Sequence, residues 1–201
     1  VWRNMDESRN RLVHVGAAFS FRTKDVNKDA PVGSIESAGV TDMLPESLLA
    51  AEVSGMGTEV KALVEALYTS RKMLLQGEYF FDRMNRSGGL KAYKSHGGYV
   101  QGSWLVKGEG FEYDAMYGIP GRPSSAKAVE LVARFNYTDL NHDGSGIYGG
   151  QEKDLSLGVN WYLNKYLGLK FSGSYVWTGS HCNSFYDKDL FIAQARLQYI
   201  F

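Results

Sequence analysis

Most of this chain consists of stretches in which every second residue is apolar. The last of them, Lys188 to Phe201, sets Phe191, Ala193, Ala195, Leu197, Tyr199 and Phe201 against Gln194, Arg196 and Gln198. A period of two belongs to a strand with one apolar face and one polar face. The same alternation marks Arg11 to Arg22, Lys72 to Met84, Tyr99 to Glu109, Lys127 to Thr138, Asp154 to Trp161 and Leu167 to Trp177. Glu59 to Tyr68 reads two ways: Val60, Leu63, Val64 and Leu67 fit a helix, while Val60, Ala62, Val64, Ala66 and Tyr68 fit a strand. The short break at Thr69 to Arg71 before another alternating stretch favours a hairpin, so a strand is expected there. Within the long segment Thr23 to Gly57, the run Asp42 to Val53 places Pro45 ahead of a Leu/Ala stretch and predicts a short helix.

These segments predict an all-β chain of eight antiparallel strands, each long enough for the ~9–11 residues of a tilted transmembrane strand. If the final strand runs inward, the breaks at Thr69 and Asn164 share one side, and the longer loops beginning near Thr23, Asn85, Asp139 and Thr178 share the other. Short turns on one side and long loops on the other is the topology of an outer-membrane β-barrel. Gly110 to Ser125, with Pro120 and Pro123, is a long irregular segment on the short side and breaks that pattern. The terminal aromatic Phe201 suits a strand that reaches an interfacial girdle. Periodicity alone leaves the edge strand of a soluble β-sandwich as an open alternative.

Composition narrows the classes. Lys plus Arg is 22 and Asp plus Glu is 22, which gives no bias toward nucleic acid or an anionic membrane surface. With 23 Gly, 13 Tyr and 10 Phe against 4 Pro, the mixture suits many strands and tight turns. The single cysteine, Cys182, excludes an internal disulfide and reads as an incidental thiol in an exposed loop. No run approaches the ~18 apolar residues of a spanning helix. Membrane residence therefore requires a closed barrel, the other structure that pairs every backbone group within lipid. The opening VWRNMDESRN has neither an initiator Met nor a signal peptide, and a trimmed chain or a piece is expected.

Specific strings then carry a resemblance. ELVARFNYTDLN from Glu130, the pair Gly149 and Gly150 before a strand, LGVNWYLN from Leu157 and the terminal AQARLQYIF resemble the C-terminal half of the phosphate-selective porin O/P family. LQGEYF from Leu75 and YVQGSWLVKGE from Tyr99 resemble its preceding strands, so the likeness runs in order from Leu12 to Phe201. It implies a sixteen-stranded, homotrimeric porin of the bacterial outer membrane, of which these eight strands are the second half. It also implies a segment folded into the lumen from the periplasmic side, which would account for Gly110 to Ser125. The implied surroundings are the bilayer with its lipopolysaccharide, small hydrophilic or anionic solutes, and the outer-membrane assembly machinery engaged through the C-terminal strand. The family's N-terminal half, to which much of its constricting loop and Arg/Lys lining belongs, is absent from the chain.

With the apolar parity assigned to lipid, the other parity lines a lumen. It holds the bases Lys61, Lys107, Arg134, Lys170 and Arg196 and the acids Glu59, Glu65, Glu78, Glu130 and Asp154. A phosphate filter needs fixed cationic donors to replace the anion's water, so this balance predicts a general or weakly selective pore. The pore-lining candidates are Lys61, Lys107, Glu130, Arg134, Lys170 and Arg196. Glu130 and Arg134 also read as residues paired with their neighbours. Tyr162, Tyr166, Tyr199 and Phe201 are expected in the inner aromatic girdle, and Tyr137 and Trp177 in the outer one.

Two chemical patterns carry less. Asp139, Asn141, Asp143 and Gly144 match the opening of a calcium loop, but Gly150 stands where the closing acid belongs and the flanks read as strands. His14, His96, His142 and His181 suggest hydrolysis, yet three of them read as loop residues and no G-x-S-x-G motif is present. No metal ligand, cofactor, catalytic residue or nucleic-acid partner is expected. The rival class is a complete eight-stranded barrel with a filled lumen and a structural, adhesive or enzymatic role.

Overall fold

The computed structural model describes residues 1–6, 11–24, 32–183 and 188–200. Its strands are β1 (Trp2–Asp6), β2 (Arg11–Thr23), β3 (Val32–Ser37), β4 (Leu49–Ser54), β5 (Met56–Ser70), β6 (Met73–Arg86), β7 (Tyr93–Lys107), β8 (Phe111–Asp114), β9 (Ile119–Pro123), β10 (Ala128–His142), β11 (Ile147–Tyr162), β12 (Leu167–Thr178) and β13 (Leu190–Tyr199). Nine of them form one antiparallel sheet in the order β1-β2-β5-β6-β7-β10-β11-β12-β13, and β3-β4 and β8-β9 are separate hairpins. The all-β, antiparallel expectation holds, and all eight expected strands are present in this sheet. A ninth, β1, pairs with β2 through Trp2 opposite Val15 and Asp6 opposite Arg11. β1 and β13 are the sheet's two edges, and among the described residues no pairing closes it into a barrel.

The alternation sorts the side chains as the pattern requires. Phe19, Val64, Trp104, Leu157, Phe171, Phe191 and Leu197 stand exposed on one face, here the outer face. Their neighbours one residue along point to the other face, which the two hairpins cover. That inner face is concave: Leu63 on β5 and Gln194 on β13 line one cavity, although a flat sheet would hold strands six places apart at roughly 29 Å.

The helix expected over Asp42 to Val53 does not form. Leu49 to Ser54 is instead strand β4, paired with β3 through Ser37 opposite Leu49 and Val32 opposite Ser54. Leu49, Ala51 and Val53 are buried while Ala50, Glu52 and Ser54 are exposed, so a period of two overrode the helical tendency of the Leu/Ala run. The buried three join Leu48, Met56, Met84, Tyr93, Leu140 and Val176 in the main apolar cluster. Glycine makes this contact feasible: a Cβ built on Gly149 would lie 2.6 Å from Ala51 Cβ. Gly150 adds a left-handed φ of 95°, where a built Cβ would lie 2.8 Å from Leu49 Cδ2.

The loop pattern is corrected in part. Strands extend into two of the expected long loops, which leaves residues 87–92 between β6 and β7 and residues 143–146 between β10 and β11. The misplaced segment Gly110 to Ser125 contains the β8-β9 hairpin and turns inward: Tyr113 Oη lies 3.0 Å from Nδ1 of the buried His14. On the other side, Arg122 Nη1 donates to Lys165 O at 2.8 Å.

Candidate functional site

The inner face is built of cross-strand rows. Register places Glu130 opposite Asn160, Asn160 opposite Lys170 and Lys170 opposite Arg196. Four residues further along, Gln101, Arg134, Ser156 and Ser174 form the next polar row but one. Four of the six candidates, Glu130, Arg134, Lys170 and Arg196, line one open cavity of about 800 Å³, bordered by the inserted segment Val40 to Met43. The strands bring these residues together from sequence positions 66 apart because each strand contributes the same parity to one face.

The other two lie elsewhere. Lys61 Nζ sits 3.3 Å from Glu59 Oε1 and 3.9 Å from Asp82 Oδ2, and Arg22 Nε donates to Glu59 Oε2 at 2.8 Å. Glu59 and Asp82 are almost fully buried, so this is a packed charge network beside Ile35 of β3. Lys107 ends β7 next to a register shift at Val129 and Glu130 and is exposed.

Local bonding fixes the orientation of Glu130 and Arg134 without pairing them. Asn160 Nδ2 and Tyr162 Oη both donate to Glu130 Oε2 at 2.9 Å. The guanidinium of Arg134 lies 3.8 Å over the Tyr99 ring, and its Nε donates to Asn136 Oδ1 at 2.8 Å. Each thus has partners on adjacent strands, as the second reading of this pair required, and each still lines the cavity. Lys170 and Arg196 make no ion pair with a carboxylate among the described residues.

The aromatic expectations separate. Tyr166, Tyr199 and Trp177 are exposed on the outer face, and Tyr137 shares that face, half-buried. Tyr162 does not belong to the girdle: it is buried on the inner face against Leu105 and Ala128, and its neighbour Trp161 stands outside instead. Phe201 lies outside the described residues. The residues of the calcium-like string are used within the hairpin: Asp139 Oδ1 accepts from Asn141 N at 2.9 Å, and Asn141 Oδ1 from Gly150 N at 3.0 Å. His96 and His142 are in strands β7 and β10, which corrects their assignment to loops. Cys182 is half-buried, packs beside the main apolar cluster and donates to Gln151 O at 3.0 Å, so it is not an exposed thiol. Burial pushes that thiol above its ordinary pKa.

Sequence reasoning passed over Glu152, which is 3 % exposed on the inner face. Carrying the parity of Asp154 back by two residues would have found it. The segment Ser37 to Met43, which caps the inner face and whose Thr41 Oγ1 accepts from Gln194 Nε2 at 2.9 Å, carries no periodicity that could have placed it.

A sheet with a bare apolar outer face, a polar concave face and segments folded against that face has the design of a porin wall. No curated protein matches the chain. The family model for phosphate-selective porin O and P matches residues 7–201, nearly the whole chain, and the protein belongs to that family.

Proposed function

We propose that this chain forms part of the wall of an outer-membrane porin whose concave face is a water-filled path for small hydrophilic solutes, phosphate-like anions among them. The observation that carries this reading is the segregation of faces: large apolar side chains stand exposed along the outer parity while ionisable ones converge on the inner face. In lipid, the outer edges of β1 and β13, which have no strand beside them among the described residues, need partners. Further strands supply them, and a total of sixteen leaves seven beyond the nine described here. Trimer formation, contact with lipopolysaccharide and recognition of the terminal strand by the assembly machinery belong to the same reading.

The opposed pair Lys170 and Arg196 supports passage of anions. Like charges directly across an antiparallel ladder repel, and water or a passing anion relieves that repulsion. Glu130, Asp154 and Glu152 on the same face offset it, so selectivity is weak. Four of the six candidates, Glu130, Arg134, Lys170 and Arg196, act as lining in this reading, with Lys170 and Arg196 attracting anions and Glu130 limiting the preference.

Single-channel recording in planar bilayers tests the function. Discrete current steps and a small reversal potential on the anion side of zero in a KCl gradient are expected. A membrane that carries no steps removes the channel, and a clear cation preference removes the anion path.

A further inference from the structure

We propose that the cavity beneath the Ser37–Val40 segment is a binding subsite for a short zwitterionic peptide, with the peptide carboxylate on Arg134 and its ammonium group on Glu152. The subsite rests on reading the inner face as a solute path. The cavity measures about 470 Å³, and Arg134, Asn136, Glu152, Asp154 and Ser37 all line it.

Its two charged ends are each left with unused capacity. Glu152 is 3 % exposed, its Oε1 receives only a 3.5 Å bond from Ser37 Oγ, and its Oε2 has no hydrogen-bond partner. A buried carboxylate oxygen without a donor is costly, and an ammonium group supplies both the charge and the protons. Asp154 is the better-supplied acid, because its Oδ1 accepts from Asn136 Nδ2 at 2.8 Å and Ser156 Oγ at 3.2 Å. At the other end, Arg134 is held by the Tyr99 ring and by Asn136 through its Nε. Its terminal nitrogens have no carboxylate partner among the described residues, and their fork suits a carboxylate.

The spacing selects the ligand class. Arg134 faces Ser156 and Glu152 faces Thr138, so the two stand four ladder positions apart, roughly 13 Å between Cα atoms at ~3.3 Å per residue. Side chains reaching inward from both ends leave about half that span, which is two extended residues at ~3.3–3.6 Å each. A free amino acid holds its charges too close together to meet both groups. A simple anion meets Glu152 and Asp154, a simple cation meets Arg134, and a neutral polyol leaves both ends unmatched.

Isothermal titration of the detergent-solubilised protein with dialanine tests the subsite. Dialanine is expected to bind, and capping either terminus, by N-acetylation or C-amidation, is expected to weaken binding at least tenfold. In Glu152→Gln the penalty for acetylation should disappear while that for amidation persists; Arg134→Gln should show the reverse. The capped peptides on the unmodified protein decide the matter even where a variant fails to fold. Absence of dialanine binding, binding indifferent to capping, or inorganic phosphate displacing dialanine at equal concentration would overturn the subsite. Current steps without dialanine binding remove the subsite and keep the channel, whereas binding without current steps removes the channel reading instead.

Discussion

Leu157 offers the sharpest test of which way the sheet faces. It is 59 % exposed on β11, with the small residues Ala133 and Gly173 as its cross-strand partners. Trp161 and Lys153 lie four residues to either side, roughly 13 Å along the strand, which puts Leu157 near the middle of a band ~25 Å tall. An arginine at that depth costs about 2–4 kcal/mol. The same change on a water-facing surface costs within ~0.5 kcal/mol. Leu157→Arg should therefore lower folding stability in thin-bilayer vesicles by about 2–4 kcal/mol, read by urea titration of tryptophan emission. Ser172→Arg is the matched control: Ser172 is on the adjacent strand but lines the inner cavities, and its cost should stay below ~1 kcal/mol. A Leu157→Arg cost within ~0.5 kcal/mol of zero, or equal costs for the two variants, would refute the assignment of faces.

Other expectations follow from single contacts. Arg196→Glu converts the like-charged pair with Lys170 into an attractive one worth roughly 0.2–1 kcal/mol; it should raise stability slightly and move the reversal potential toward cations, and an unchanged potential would remove Arg196 from the path. Tyr113→Phe deletes the 3.0 Å contact with His14 at a cost of ~1 kcal/mol, so chymotrypsin should cut after the exposed Tyr117 in the β8-β9 turn faster than in the parent; equal rates would show that this contact does not hold the hairpin. Gly150→Ala forces a side chain into a left-handed φ against Leu49 and should cost more than ~1 kcal/mol, measured by urea titration. Because the thiolate is the reactive form and burial raises the Cys182 pKa, disulfide-exchange labelling at pH 8 should be slower than for a free cysteine and should rise at higher pH; labelling at the free rate would contradict the burial.

The sheet was legible because its determinant is local: a period of two names both the strand and the face of each residue, so β5 could be recovered even where its residues also fit a helix. Strand ends were less legible, since polar residues such as Lys94 and Gln151 serve a strand as well as a loop once a neighbour supplies the ladder. The inserted β3-β4 hairpin was misread because LLAAEV has high helix propensity, and what decides its form is burial against Leu140 and Gly149, far away in sequence. Of the candidate residues, Glu130, Arg134, Lys170 and Arg196 met because parity alone assigns a common face. Lys61 did not join them because Glu59, two residues back on its own strand, and Asp82, opposite it on β6, hold it, and the second of these is a pairing that no single stretch displays. Tyr162 was misassigned because an aromatic at the end of a strand reads as girdle whichever way it points.

All four tryptophans, Trp2, Trp104, Trp161 and Trp177, are exposed, and register puts each on the outer face. Tryptophan emission from the protein reconstituted in vesicles of brominated phosphatidylcholine therefore tests the central claim most directly. Strong quenching by the brominated chains with little quenching by aqueous acrylamide is expected. Emission that acrylamide quenches and the brominated lipid leaves unchanged would contradict an outer face in contact with hydrocarbon.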